Sequence, residues 1–284
     1  MFERFSRSWG LIKASAGVLS KDKELLVFPL LSSICTLIVS AAFVLPILGL
    51  GALDGLSSGS GFQIQAWVYL ASFGFYLVQY TVIFYFNTAL VGAAMIRLDG
   101  GDPRLSDGLR IANSRLVPIL GYAAIAATVG MLLRAVQKRS GVIGRAIAGF
   151  LGVAWTVASF LVVPVLVSRK IGPIDAVKES ALLLKKTWGE NLIGQGGVGL
   201  VFGLIYIVLV ILGVAAIVGA AMTGKAIFIG LVVALVVISL LVVGLIQAAM
   251  SGIYSAALYR YASGEGSTEG FDSQVLQTAF ANKG

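Results

Sequence analysis

Residues 226–259 read AIFIGLVVALVVISLLVVGLIQAAMSGIYSAALY and carry no charged side chain, with Lys225 and Arg260 standing immediately outside. As an α-helix the run is about 50 Å long, against a bilayer hydrocarbon core of roughly 30 Å. The same pattern recurs along the chain: residues 25–53, 55–96, 116–133, 146–168 and 191–224 also lack charge. Within 55–96, the Gly- and Ser-rich stretch Gly55–Gly61 reads as a loop. Transmembrane helices are therefore expected near 25–50, 63–96, 116–133, 146–168, 192–222 and 226–259, with every charge outside them. The third span is the shortest, and re-entrant or interfacial placement is its alternative. The expected organisation is an all-α membrane domain over residues 1–262, followed by a short cytoplasmic tail, 263–284.

Composition agrees. Of 284 residues, 58% are hydrophobic and 12% charged, and mean hydropathy is +0.96. Soluble domains carry about a quarter charged residues, enough to cover a water-facing surface. The single cysteine, Cys35, lies in an apolar run, and there is no histidine. An intramolecular disulfide is thereby excluded, and the commonest general base and metal ligand are missing. The first apolar run begins at Leu25 and exceeds a signal-peptide core in length, so uncleaved insertion is expected.

Lys and Arg placement sets the expected orientation. Basic residues gather before the first span (Arg4, Arg7, Lys13, Lys21, Lys23) and in the second connection (Arg97, Arg104, Arg110, Arg115). They gather again in the fourth connection (Arg169, Lys170, Lys178, Lys185, Lys186), and Arg260 and Lys283 follow the last span. This favours both termini in the cytoplasm. The third connection, with Arg134, Lys138, Arg139 and Arg145, breaks the rule.

Three segments on the expected inner face are amphipathic. Phe5, Trp9, Ile12, Ala16 and Leu19 form one helical stripe, and Leu105, Leu109, Ala112, Leu116 and Ile119 repeat its offsets. Val177, Ala181, Leu184 and Trp188 follow them again, after Gly172-Pro173. The economical reading is three loosely repeated units, each an inner-face amphipathic helix followed by a membrane hairpin. Such helices would lie at the membrane interface, with Trp9 and Trp188 at headgroup depth and Lys185 and Lys186 near anionic headgroups. The plainer alternative is connecting helices packed on the bundle ends.

Several of these residues carry a resemblance. Ser8-Trp9, the run from Lys21-Asp22-Lys23-Glu24 to Pro29-Leu30-Leu31, and Gly172-Pro173 through Ser180 to Thr187-Trp188-Gly189-Glu190 are similar to a prokaryotic family of multi-pass membrane proteins. Tyr259-Arg260-Tyr261-Ala262, Gly270-Phe271-Asp272 and Ala279-Phe280 extend it. That family is a domain of unknown function. The resemblance implies architecture and prokaryotic origin, hence an inner-membrane location, and transfers no activity or site residue.

Chemistry is sparse. With no ionisable group inside the spans, a proton-coupled transporter is disfavoured. Sodium coupling through carbonyls at broken helices stays open, and Pro29, Pro46, Pro118 and Pro164 are candidate breaks. Gly194, Gly196, Gly197, Gly199 and Gly203 mark either a hinge or close helix packing; without a strand before them they are no nucleotide loop. Gln79, Asn87 and Gln247 are the polar residues to place, in interhelical hydrogen bonds or along a solute path. Asp99, Asp102, Asp107 and the pair Asp175 and Glu179 sit among bases, which suits ion pairing better than metal binding or catalysis.

No enzyme, cofactor, metal site or nucleic-acid partner is expected. Gly244, Ala248, Gly252 and Ala256 form a small-residue stripe suited to tight contact with another helix or a second subunit. The reading is a non-enzymatic, self-associating scaffold or lipid-organising protein whose partner is the bilayer and its anionic inner headgroups. The alternative is a channel or permease for an uncharged or amphipathic solute.

Overall fold

The computed structural model describes residues 13–49, 62–139, 141–188 and 196–264. The described chain is 91% helical and contains no strand. Ten helices follow in order: α1 (13–21), α2 (Val27–Gly49), α3 (Phe62–Leu98), α4 (Leu105–Ser114), α5 (Leu116–Arg139), α6 (Val142–Ala158), α7 (Val162–Ser168), α8 (Pro173–Trp188), α9 (Gly196–Met222) and α10 (Ala226–Ser263). A 3-10 turn, Lys23–Leu26, joins α1 to α2. Six stretches are long and apolar enough to cross a membrane: Lys23–Pro46, Tyr69–Leu98, Leu116–Lys138, Gly144–Ser168, Val201–Met222 and Ala226–Ser263. The protein is a multi-pass membrane protein.

Two sequence expectations need correction. The third span does not stop at its last apolar residue. α5 is 24 residues long and carries Arg134 and Lys138 inside the helix, because backbone hydrogen bonding continues where apolar composition ends. The fourth span is not one helix. It breaks at Ser159–Leu161 between α6 and α7, and Pro164 sits in the first turn of α7, where its missing N–H is tolerated. Pro46, by contrast, lies inside the unbroken α2. α9 is helical from Gly196 onward, and a Cβ on Gly199 or Gly203 would meet nothing within 4 Å. Neither an unwound site nor close packing accounts for those two glycines.

The described residues group into two units. The first comprises Val27–Ala93 and Pro103–Lys186. Its core holds Phe28, Leu90, Ile119, Leu161 and Leu166, all essentially inaccessible. α4 docks through a glycine: a Cβ on Gly108 would lie 2.5 Å from Phe28 Cζ and 2.6 Å from Ala89 O. α8 docks through Ser180, Ala176 and Leu184, all buried, and Pro173 presses on α5 so closely that a Cβ on Gly121 would come within 2.8 Å of it. Arg115, between α4 and α5, donates to Val167 O at 3.2 Å and so caps a carbonyl at the end of α7.

The second unit comprises Met1–Leu26, Ala94–Asp102 and Thr187–Gly284. α9 and α10 pair as a hairpin, with Gly213 against Val236 and Gly244 against Tyr206. Burial on α10 is concentrated in its C-terminal part, from Ala249 to Ala262, and the 3-10 turn packs on α10. Arg260 pairs with Asp99, and Arg97 reaches Asp102 at 3.5 Å.

Candidate functional site

Polar residues inside apolar spans need a reason, and α2 and α3 bring several together. α2 supplies Ser32, Ser33 and Thr36; α3 supplies Gln79. They line a groove of about 420 Å³ whose other walls are Phe75, Tyr76, Tyr80 and Ile83. Ser33 Oγ donates to Pro29 O at 2.8 Å and Thr36 Oγ1 to Ser32 O at 2.6 Å, the usual way such hydroxyls are satisfied inside a helix. Gln79 Nε2 crosses to α2, donating to Ser40 Oγ at 2.7 Å and to Thr36 O at 3.4 Å. Gln79 thus makes the interhelical hydrogen bonds expected of it, and the same side chain lines the groove. Asn87 and Gln247 do not line it.

Rings stiffen the α3 wall. Tyr76, Tyr80 and Phe84 fall four residues apart on one face, stacked at centroid spacings of 6.3 and 5.7 Å. Phe84 continues to Tyr122 of α5 at 4.4 Å, and Phe43 of α2 meets Phe75 edge-on at 5.3 Å. The Arg134 guanidinium lies 4.5 Å from the Tyr76 ring centroid, a cation–π contact for one of the bases that break the orientation rule. Sequence reading found Gln79. It did not find Ser32, Ser33 and Thr36, since hydroxyls in a membrane helix are ordinary.

The residues picked from sequence are scattered. On the small-residue stripe, Gly252 and Ala256 are buried, Gly244 is half-buried, and Ala248 is exposed. A Cβ on Gly244 would lie 3.2 Å from the Tyr206 hydroxyl, so this end of the stripe meets α9. Lys185 is exposed on α8. Trp9 lies outside the described residues, as do the side chains of Lys186 and Trp188.

The acids take separate partners: Asp99 with Arg260, Asp102 with Arg97, Asp107 with Arg110, Asp175 with Lys178 and Glu179 with Arg169. No group of three or more metal-ligating side chains occurs among the described residues.

A family model described as a family of unknown function (DUF6159) matches residues 66–271. The chain belongs to this family. The DUF6159 match runs from within α3 through α10, so it includes Tyr76 and Gln79 and leaves the α2 wall of the groove outside. The opening segments of the sequence resemblance also precede the DUF6159 match. No curated protein and no solved structure matches the chain.

Proposed function

We propose that this protein is a non-enzymatic, self-associating membrane protein that organises anionic lipid at one membrane face. The supporting observation is the way α4 and α8 are held. Each buries small residues against its unit, Gly108 and Ala112 on α4 and Ala176 and Ser180 on α8, and turns bases outward. The side chains of Arg110 and Lys178 are 78% and 70% exposed, and Arg104 and Lys185 are exposed beside them. A docked helix presents its cations at a fixed height, where anionic headgroups repay about 1 kcal/mol for each base near the surface. That face is the cytoplasmic one in this reading, with both termini inside a prokaryotic inner membrane.

The test is the lipid that copurifies from nanodiscs of equal phosphatidylglycerol and phosphatidylcholine. Phosphatidylglycerol should be enriched around the parent, and Arg104→Glu/Arg110→Glu/Lys178→Glu/Lys185→Glu should abolish the enrichment. Equal lipid ratios in both would end this reading.

The α2–α3 groove favours a second reading, a permease for an uncharged or amphipathic solute. Solute-dependent flux into proteoliposomes, lost in Gln79→Leu, would select it over the first.

A further inference from the structure

Two of the hydroxyl groups lining the groove are already committed as donors. The protons of Ser33 and Thr36 go to carbonyls of their own helix, so these hydroxyls offer the groove only lone pairs. The orientation of the Gln79 amide follows from Thr36 O, which can only accept; the NH2 group therefore faces α2. Gln79 Oε1 is buried and meets no donor among the described residues. A buried acceptor left unmatched is expensive within a span, where no bulk water can supply the donor.

Charge narrows the occupant further. No lining residue is ionisable to a charge near neutral pH, and the nearby Arg134 over Tyr76 opposes a second cation. An anion would bring further acceptors to the Ser33, Thr36 and Gln79 oxygens. A neutral group with an O–H to donate satisfies both conditions. Its source is the bilayer: Leu37, Ile38 and Val78, on the same two helices, are exposed apolar side chains within the spans. The volume of about 420 Å³ is at the low end for ligand sites, enough for a head and its first carbons.

We propose that the α2–α3 groove binds the hydroxyl head of a neutral lipid alcohol. The hydroxyl donates its one proton to Gln79 Oε1, reached as the lining rings shift, with the Ser33 and Thr36 oxygens beside it as secondary acceptors, and the chain lies along Phe75, Tyr76 and Tyr80. This does not depend on the lipid-organising reading, because the probe carries no charge and the bases of α4 and α8 take no part.

The experiment is native mass spectrometry of the full chain, titrated with oleyl alcohol, oleyl methyl ether, oleylamine and glycerol. The alcohol and its methyl ether differ in the single donor. Oleyl alcohol should bind about tenfold more tightly than the ether, the worth of one hydrogen bond. Gln79→Leu should erase that ratio. Ser33→Ala/Thr36→Val, which leaves the Gln79 amide in place, should reduce it and covers the case in which Gln79→Leu fails to fold. Equal affinity for alcohol and ether in the parent would overturn the proposal. Tighter binding of oleylamine would instead mark a cation site, and displacement of the alcohol by equimolar glycerol a site for free polyols; either result overturns the assignment to a lipid alcohol.

Discussion

The backbone N–H of Leu161 donates to Ser180 Oγ at 3.0 Å, and both residues are fully buried. The turn between α6 and α7 interrupts the helical ladder at this point, and the amphipathic helix α8 supplies the acceptor that the ladder no longer provides. Ser180→Ala should therefore cost about 1–3 kcal/mol, the penalty for a buried donor left unmatched. Thermal melting in detergent measures it. Lys178→Ala, on the exposed side of α8, should melt close to the parent, and equal losses in the two variants would contradict this account.

Gly108 tests the seat of α4. Its added Cβ would meet a backbone oxygen, Ala89 O, as well as the Phe28 ring, and a helix backbone cannot step aside as a side-chain tip can. Gly108→Ala should destabilise by about 1–3 kcal/mol despite the better helix propensity of alanine. An increase in melting temperature would mean that α4 lies further from α3 than described.

Asp22 sits where α1 ends, accepting from the Glu24 N–H at 3.2 Å. Burial pushes its carboxyl above the ordinary value of 3.8, outweighing the Glu24 hydrogen bond and the Arg97 charge that pull it down. With the folded value raised, the folded state holds its proton more tightly than the unfolded chain. Stability then falls as pH rises from about 3.8 through the folded value, and levels off once the carboxyl is ionised. Asp22→Asn keeps an acceptor for Glu24 and removes the charge, so its melting temperature should decline less over that interval. A steeper decline in the variant would show the carboxylate to be stabilising.

The α10 stripe divides at Ala248. Gly252 is buried whereas Leu245 is only half-buried, so Gly252→Leu should lower the melting temperature or change the native mass more than Leu245→Ala does. Identical melting and assembly of Gly252→Leu and parent would leave the stripe without a packing role.

Ser106 is exposed on α4 and reports the side of the membrane. With Cys35 replaced, Ser106→Cys should resist an impermeant thiol reagent in intact cells and react once the membrane is opened. Labelling from outside would invert the orientation inferred from Lys and Arg.

Why the spans could be read from sequence while other features could not comes down to which property was visible. Charges exclude themselves from the bilayer, so Lys225 and Arg260 delimit the last span almost directly. Docking faces obey a different rule. The apolar stripe through Val177 and Ala181 is offset by about one residue from the buried face, which runs through Ala176 and Ser180. Close approach of backbones selects small residues, and a hydroxyl with a partner is as welcome as a methyl. On α1, likewise, Ala16 is exposed and Ser15 buried. The break at Ser159–Leu161 was hidden in an unbroken apolar run, with Pro164 as its single signal. The groove combines residues far apart in sequence, and only Gln79 was unusual enough to draw notice alone.

The turn between α9 and α10 has a consequence for how the chain is made. Gly224, at φ 65°, reverses the path between Met222 and Ala226, and Thr223 ties it down by donating to Ala220 O at 2.6 Å. With so short a link, the two helices are expected to enter the bilayer together rather than one after the other. Lys225 is the one charge in the link. Lengthening the link with a flexible polar insert would let each helix insert separately, and a glycosylation acceptor placed in that insert would report how often α10 is left behind.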